Sequence, residues 1–141
     1  MKRVFTLACL FVTTPLLAGV SGDLRQGGKL YSQGKYGQAL SKFEHALSED
    51  PTNPQAQFGA GAAAYYLKDY PAASQAFENA AQDPGAISQD ALFNLGNTYY
   101  RSGETDKATA AYKQAILKNP QDKEAIHNLQ LLLQNKQNQN N

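Results

Sequence analysis

The chain has 141 residues, with 13 Lys and Arg against 12 Asp and Glu and a formal net charge of +1. That length fits one domain, and a near-neutral chain without a basic cluster argues against nucleic acid or an anionic membrane surface as partner. Its single cysteine, Cys9, excludes an intrachain disulfide and a four-cysteine metal site.

Residues 1–22 differ from the rest. Met1-Lys2-Arg3 is a short basic start. Val4 to Ala18 is apolar apart from Thr6, Thr13, Thr14 and Pro15, and the small residues Ala18-Gly19-Val20-Ser21-Gly22 follow. This is the layout of a secretory signal peptide, with cleavage after Ala18 or after Gly22. The expectation is an exported, periplasmic chain that no longer touches the membrane. An uncleaved membrane anchor is the alternative, against which stand the shortness of the apolar run and its interruption by Pro15. A lipoprotein would need a cysteine just after that run, and Cys9 lies within it. Without residues 1–22 the balance is 11 basic to 12 acidic residues and no cysteine remains, which suits an oxidising compartment.

Helical periodicity then runs to about Lys136. The stretch 21–53 opens on a weak helix. Gly27-Gly28 lie inside it, each costing about 1 kcal/mol relative to Ala. Asp23 and Gln26 stand where a later helix has Leu92 and Leu95, so this helix is expected to fray. Ser32-Gln33-Gly34 reads as a turn, Tyr36 to Glu49 as a second helix, and Asp50-Pro51 as its stop. The stretch 54–87 opens on a helix from Pro54 to Leu67, rich in small residues. Pro71 fits the first turn of the next helix, which Asp83-Pro84-Gly85 breaks. In 89–122, Leu92, Leu95, Gly96 and Tyr99 share one helical face, with Asp90 in the first turn and Ser102-Gly103 as the stop. Ala108, Tyr112 and Ala115 share another face, ended by Asn119-Pro120. Asp122 can cap a last helix from Lys123 to about Lys136, carrying Ile126, Leu129 and Leu133. The Asn-, Gln- and Lys-only tail from Asn135, and residues 137–141 above all, is expected to be disordered.

These stretches are copies of one another. Gly96, Ala108, Tyr112 and Ala115 recur 35 positions earlier as Gly61, Ala73, Phe77 and Ala80, and 34 earlier again as Gly27, Ala39, Phe43 and Ala46. With Leu95-Gly96, Tyr99, Ala108, Tyr112, Ala115 and Pro120 in order, the pattern resembles the tetratricopeptide repeat. The resemblance implies an all-α, right-handed superhelical solenoid over 23–134, with three helical hairpins (about 21–53, 54–87 and 89–122) and a C-terminal capping helix (123–136). It also implies that the first helix of each hairpin lines a concave groove. The small and aromatic repeat positions themselves read as packing, not as sites.

The groove positions this implies are Leu24, Phe58, Phe93 and His127, then Gly28, Ala62, Asn97 and Leu131, then Tyr31, Tyr65 and Tyr100, with Arg101 beside them. Three tyrosines and two phenylalanines exposed in a row would suit an extended or helical peptide, or a partner domain, with apolar anchors. Some tetratricopeptide proteins grip a C-terminal carboxylate with Lys, Arg and Asn in the groove. Asn97 matches one such place, but Leu24 and Gly28 stand where the basic part would be, so a receptor for cytosolic chaperone tails is not expected.

A narrower likeness lies in 91–139. Phe93-Asn94-Leu95-Gly96-Asn97, Tyr112-Lys113-Gln114-Ala115, Asn119-Pro120 and Asn128-Leu129 before a Gln/Asn tail resemble the tetratricopeptide proteins of the Bat (aerotolerance-operon) family. That resemblance implies an envelope assembly factor beside von Willebrand A-domain membrane proteins and a MoxR-type ATPase, although Bat proteins are often membrane-anchored or larger.

An enzyme is not expected, and neither cofactor nor metal is implied. There is no P-loop, GxSxG or HExxH, no strand precedes Gly59-Ala60-Gly61, and His45 and His127 fall on different elements, with His45 read as a solvated surface residue. The reading is an exported adaptor or scaffold that binds a protein or peptide. The alternatives are a self-assembling structural scaffold and an accessory factor of a secretion or cell-wall machine.

Overall fold

The structure, a computed structural model, describes residues 16–139. It contains α1 (Leu16–Ser32), α2 (Tyr36–Glu49), α3 (Pro54–Tyr66), α4 (Tyr70–Ala80), α5 (Ile87–Arg101), α6 (Thr105–Lys118) and α7 (Lys123–Gln139). These form three antiparallel hairpins, α1/α2, α3/α4 and α5/α6, with α7 packed on α6 as a closing helix. The all-α solenoid expected from the repeat is what forms. The leader expected over 1–22 lies outside the described residues up to residue 15, and its last part, from Leu16, belongs to α1.

Each hairpin is turned by the same device. Gly34, Lys68 and Gly103 occupy matching places and all have positive φ, at 73°, 64° and 83°. In each, the following residue's N–H reaches back over the helix end: Lys35 to the Leu30 carbonyl at 3.0 Å, Asp69 to Ala64 at 3.0 Å and Glu104 to Tyr99 at 2.8 Å. This Schellman closure satisfies carbonyls that the helix leaves unpaired. Only the middle copy uses a residue with a Cβ there.

Side chains in the connections cap the helices that follow. The Asn53 side chain accepts from Ala56 N at 3.0 Å and Asp69 from Ala72 N at 3.1 Å, with proline in the first turn of α3 and of α4. Asp122 caps α7 as its position implies, accepting from Ala125 N at 3.0 Å. Its other oxygen accepts from Gln89 Nε2 at 2.6 Å, joining the starts of α5 and α7.

The glycines at the matching sites set how closely paired helices approach. A Cβ on Gly27 would stand 2.8 Å from the Phe43 ring, one on Gly61 2.9 Å from Phe77, and one on Gly96 2.5 Å from Tyr112. The ring of each second helix therefore lies flat on the backbone of the first, where only glycine fits. The main core spans the second and third hairpins and α7, around Phe77, Leu92, Leu95, Tyr99, Tyr112 and Leu132. Smaller clusters serve the first hairpin, around Phe43 and around Val20.

Three expectations change. Helix α1 is continuous and packed along α2, not a loose start, because Gly27 admits Phe43 and Asp23 is partnered. The Asp23 carboxylate accepts from Lys42 Nζ at 3.3 Å and pairs with His45 Nδ1 at 2.6 Å, so His45 is exposed but not merely solvated. At the other end α7 continues to Gln139, through residues read as tail, and Lys136 Nζ meets Asp106 Oδ1 at 2.7 Å across the α6 start. Residues 140–141 of that tail lie outside the described residues.

Candidate functional site

Helices α1, α3 and α5 are successive neighbours, and α7 follows them beyond α5. Between α3, α5 and α7 opens a cleft of about 430 Å³, lined by Tyr65, Asn97, Tyr100, Arg101, Tyr112, Asn128, Leu131, Leu132 and Asn135. Tyr112 reaches it from α6, because Gly96 lets the ring lie across α5 and carries the hydroxyl through to the concave side.

The polar groups of the cleft are held in place. The Tyr112 hydroxyl donates to Asn97 Oδ1 at 2.7 Å, and Asn128 Nδ2 donates to the same oxygen at 3.2 Å. With both lone pairs of Oδ1 engaged, the Asn97 Nδ2 donor is left for the cleft. Burial pushes the Tyr112 hydroxyl up to about 12, so it stays a protonated donor. Arg101 is exposed, and its Nε donates to the Tyr65 hydroxyl at 3.4 Å. That bond, with Tyr65, Tyr70 and Tyr100 nearby, holds the guanidinium more firmly charged than usual. Tyr100 is 52% exposed and Leu131 46% exposed, and they supply the apolar walls.

Of the groove residues read from the sequence, the structure brings Tyr65, Asn97, Tyr100 and Arg101 together in this cleft, with Leu131 opposite. The others do not join them. Phe58 is half-buried, edge-on to Phe77 at 5.6 Å, and Phe93 is half-buried against Tyr112 at 6.0 Å. Leu24 packs among the core residues of the first hairpin. Tyr31 is partly buried, edge-on to Tyr36 at 5.4 Å and Tyr66 at 5.8 Å. Its hydroxyl is pushed up to about 12, chiefly by burial and then by Tyr66. His127 is exposed on α7 outside the cleft. The exposed five-aromatic ladder is therefore corrected: the phenylalanines serve the core and Tyr100 alone of the five is exposed.

Sequence reasoning missed Asn128 and Asn135. Asn128 lies one residue past His127 on α7, and Asn135 was assigned to the tail. It also missed Tyr66, 53% exposed and stacked on Tyr36 at 4.6 Å with the rings 10° apart. Its signal was the doubled Tyr65-Tyr66 at the end of α3, the one such pair in that helix. Among the described residues no three His, Cys, Asp or Glu side chains converge as a metal site.

The family described as "Tetratricopeptide repeat" matches residues 30–75 and 64–133. Among solved structures, MamA is 26% identical, with a TM-score of 0.79 over 83% of this chain and 68% of that one. The first tetratricopeptide domain of Spaghetti (RPAP3), bound to the HSP90 peptide SRMEEVD, is 22% identical with a TM-score of 0.76 over 83% and 92%. The second such domain of human RPAP3, in complex with the HSP70 peptide SGPTIEEVD, is 18% identical with a TM-score of 0.78 over 83% and 97%. No curated protein matches the chain.

Proposed function

The chain belongs to the tetratricopeptide repeat family, and we propose that it is a non-enzymatic scaffold that binds an extended peptide segment of a partner protein in the α3–α5–α7 cleft. The observation that carries this is the convergence of fixed donors with exposed apolar surface. Asn97 Nδ2 and the Arg101 guanidinium face a peptide's carbonyl or carboxylate oxygens, while Tyr100 and Leu131 take an apolar side chain. Donors held by their own neighbours lose little freedom on binding, and a rigid tyrosine gives contact area at low ordering cost.

Two of the similar structures hold peptides ending in Glu-Glu-Val-Asp. This cleft offers one arginine and three asparagines but no lysine. A segment with a single carboxylate, terminal or side-chain, therefore suits it better than a run of acids. The layout of residues 1–22 supports export, and the likeness of 91–139 to Bat proteins supports work in an envelope complex, with a membrane-protein segment as ligand.

The test is fluorescence anisotropy with labelled peptides that vary in apolar residue and in a free or amidated C-terminus. Arg101→Ala and Tyr100→Ala alter exposed side chains and should leave the fold intact. Each should weaken binding by roughly tenfold, the scale of one good contact of about 1.4 kcal/mol. Unchanged affinity in both variants, with a melting curve like the parent's, would remove the cleft as the site.

A further inference from the structure

Glu49 ends α2, and its side chain turns back onto the first turns of α1. Oε2 is buried and has no hydrogen-bond partner among the described residues. A Cβ built on Gly19 would stand 2.7 Å from that oxygen and 3.3 Å from Oε1. The carboxylate therefore lies directly over the Gly19 backbone, in space that any side chain at 19 would take. A buried carboxylate oxygen without a donor is costly to a fold.

The next residue fixes how much of α1 the fold needs. Val20 is 7% exposed and packs with Ala46 and Ala56. Of the two leader boundaries, cleavage after Gly22 deletes both Val20 and Gly19, opening that cluster. Cleavage after Ala18 keeps both and turns the Gly19 nitrogen from a secondary amide into a primary amine, protonated at neutral pH, with three donors.

We propose that the chain is processed between Ala18 and Gly19 and that the new Gly19 α-ammonium pairs with the Glu49 carboxylate, fastening the start of α1 to the end of α2. The inference rests on the export reading given above. The covalent step is a hydrolysis: the Ala18–Gly19 amide bond breaks, the oxygen of water goes to the Ala18 carboxylate, and Gly19 leaves as the amine and takes up a proton. An ammonium at the positive end of a helix is disfavoured by the helix dipole, and a carboxylate there is favoured, so Glu49 answers both.

The experiment expresses the full chain in a Gram-negative host, isolates it from the periplasm and reads the intact mass. The expected product begins at Gly19. An exported product beginning at Asp23 or any other residue overturns the proposal while leaving export standing. A full-length product confined to the cytoplasm overturns both. The pairing is then read on the processed chain by NMR titration of the α-amine, whose pKa should fall by about one unit in Glu49→Gln. Equal values in parent and variant would overturn the pairing. Should Glu49→Gln fold poorly, acetylation of the parent's α-amine with Glu49→Asp alongside gives the second route: acetylation should lower the parent's melting temperature, and no change on acetylation overturns the pairing.

Discussion

The Tyr112 hydroxyl donates to the Asn97 side-chain oxygen at 2.7 Å, tying the packing aromatic of the third hairpin to the polar floor of the cleft. A residue that the repeat pattern explains by packing alone thus also sets which end of the Asn97 amide faces a ligand. Tyr112→Phe keeps the ring on Gly96 and removes only the hydroxyl. It should lower stability by about 1 kcal/mol in a denaturant titration. It should also weaken peptide binding by releasing the amide. A variant that loses stability but binds with parental affinity would show that Asn97 is held by Asn128 alone.

The adjacent glycines of α1 have opposite roles. Gly27 faces the Phe43 ring, whereas a Cβ on Gly28 meets nothing within 4 Å. Gly27→Ala should destabilise the chain by about 1–2 kcal/mol, the cost of overpacking less the gain in helix propensity. Gly28→Ala should stabilise it by up to about 1 kcal/mol. Thermal melts of the two single variants check the sign. If both stabilise, the close approach of α1 to α2 is not as described.

Lys68 stands in the left-handed turn position that the other hairpins give to glycine. The strain of a Cβ there exceeds the extra freedom glycine brings to the unfolded chain, so Lys68→Gly should stabilise by about 0.5–1 kcal/mol. Its side chain is exposed, which leaves the backbone as the cause. A lower denaturation midpoint for Lys68→Gly would mean that Lys68 contributes contacts that outweigh its conformation.

Repeat spacing made the hairpins, their glycine–ring contacts and the helix stops readable, because those depend on residue type at a fixed period. What it could not give was depth. Phe58 and Phe93 share groove register with Tyr100, yet their rings meet Phe77 and Tyr112 and become half-buried. How far a ring sinks depends on the neighbouring hairpin, which no single repeat records. Asn97 and Leu131 were readable by register, but Asn128 and Asn135 lie beside the His127–Leu131 row of the capping helix, and the repeat spacing does not fix how that helix is rotated. Asp23 looked like a defect because the repeat has leucine there. Its partners Lys42 and His45 lie on α2, 19 and 22 residues on, and only the folded pair brings them within reach.

That same cluster makes a prediction about acid. The His45 hydrogen bond, above all, and the Lys42 contact hold the Asp23 carboxyl below the ordinary aspartate range. A carboxyl whose pKa is lower folded than unfolded stabilises the fold when ionised. Its contribution is therefore complete above the unfolded value, near 3.9, and is lost as pH falls through the lowered folded value. Asp23→Asn removes the charge at every pH. The melting temperature of the parent should exceed that of Asp23→Asn by a steady margin from about pH 5 to 6, and the two curves should converge towards about pH 2. Glu104 and Asp106 are held low as well, by Lys107 and by Lys136, but they are present in both proteins and cancel in the comparison. A margin that stays flat down to about pH 2 would mean that the protonated aspartate holds α1 on α2 as well as the charged one, so that the parent's advantage over asparagine does not come from the charge.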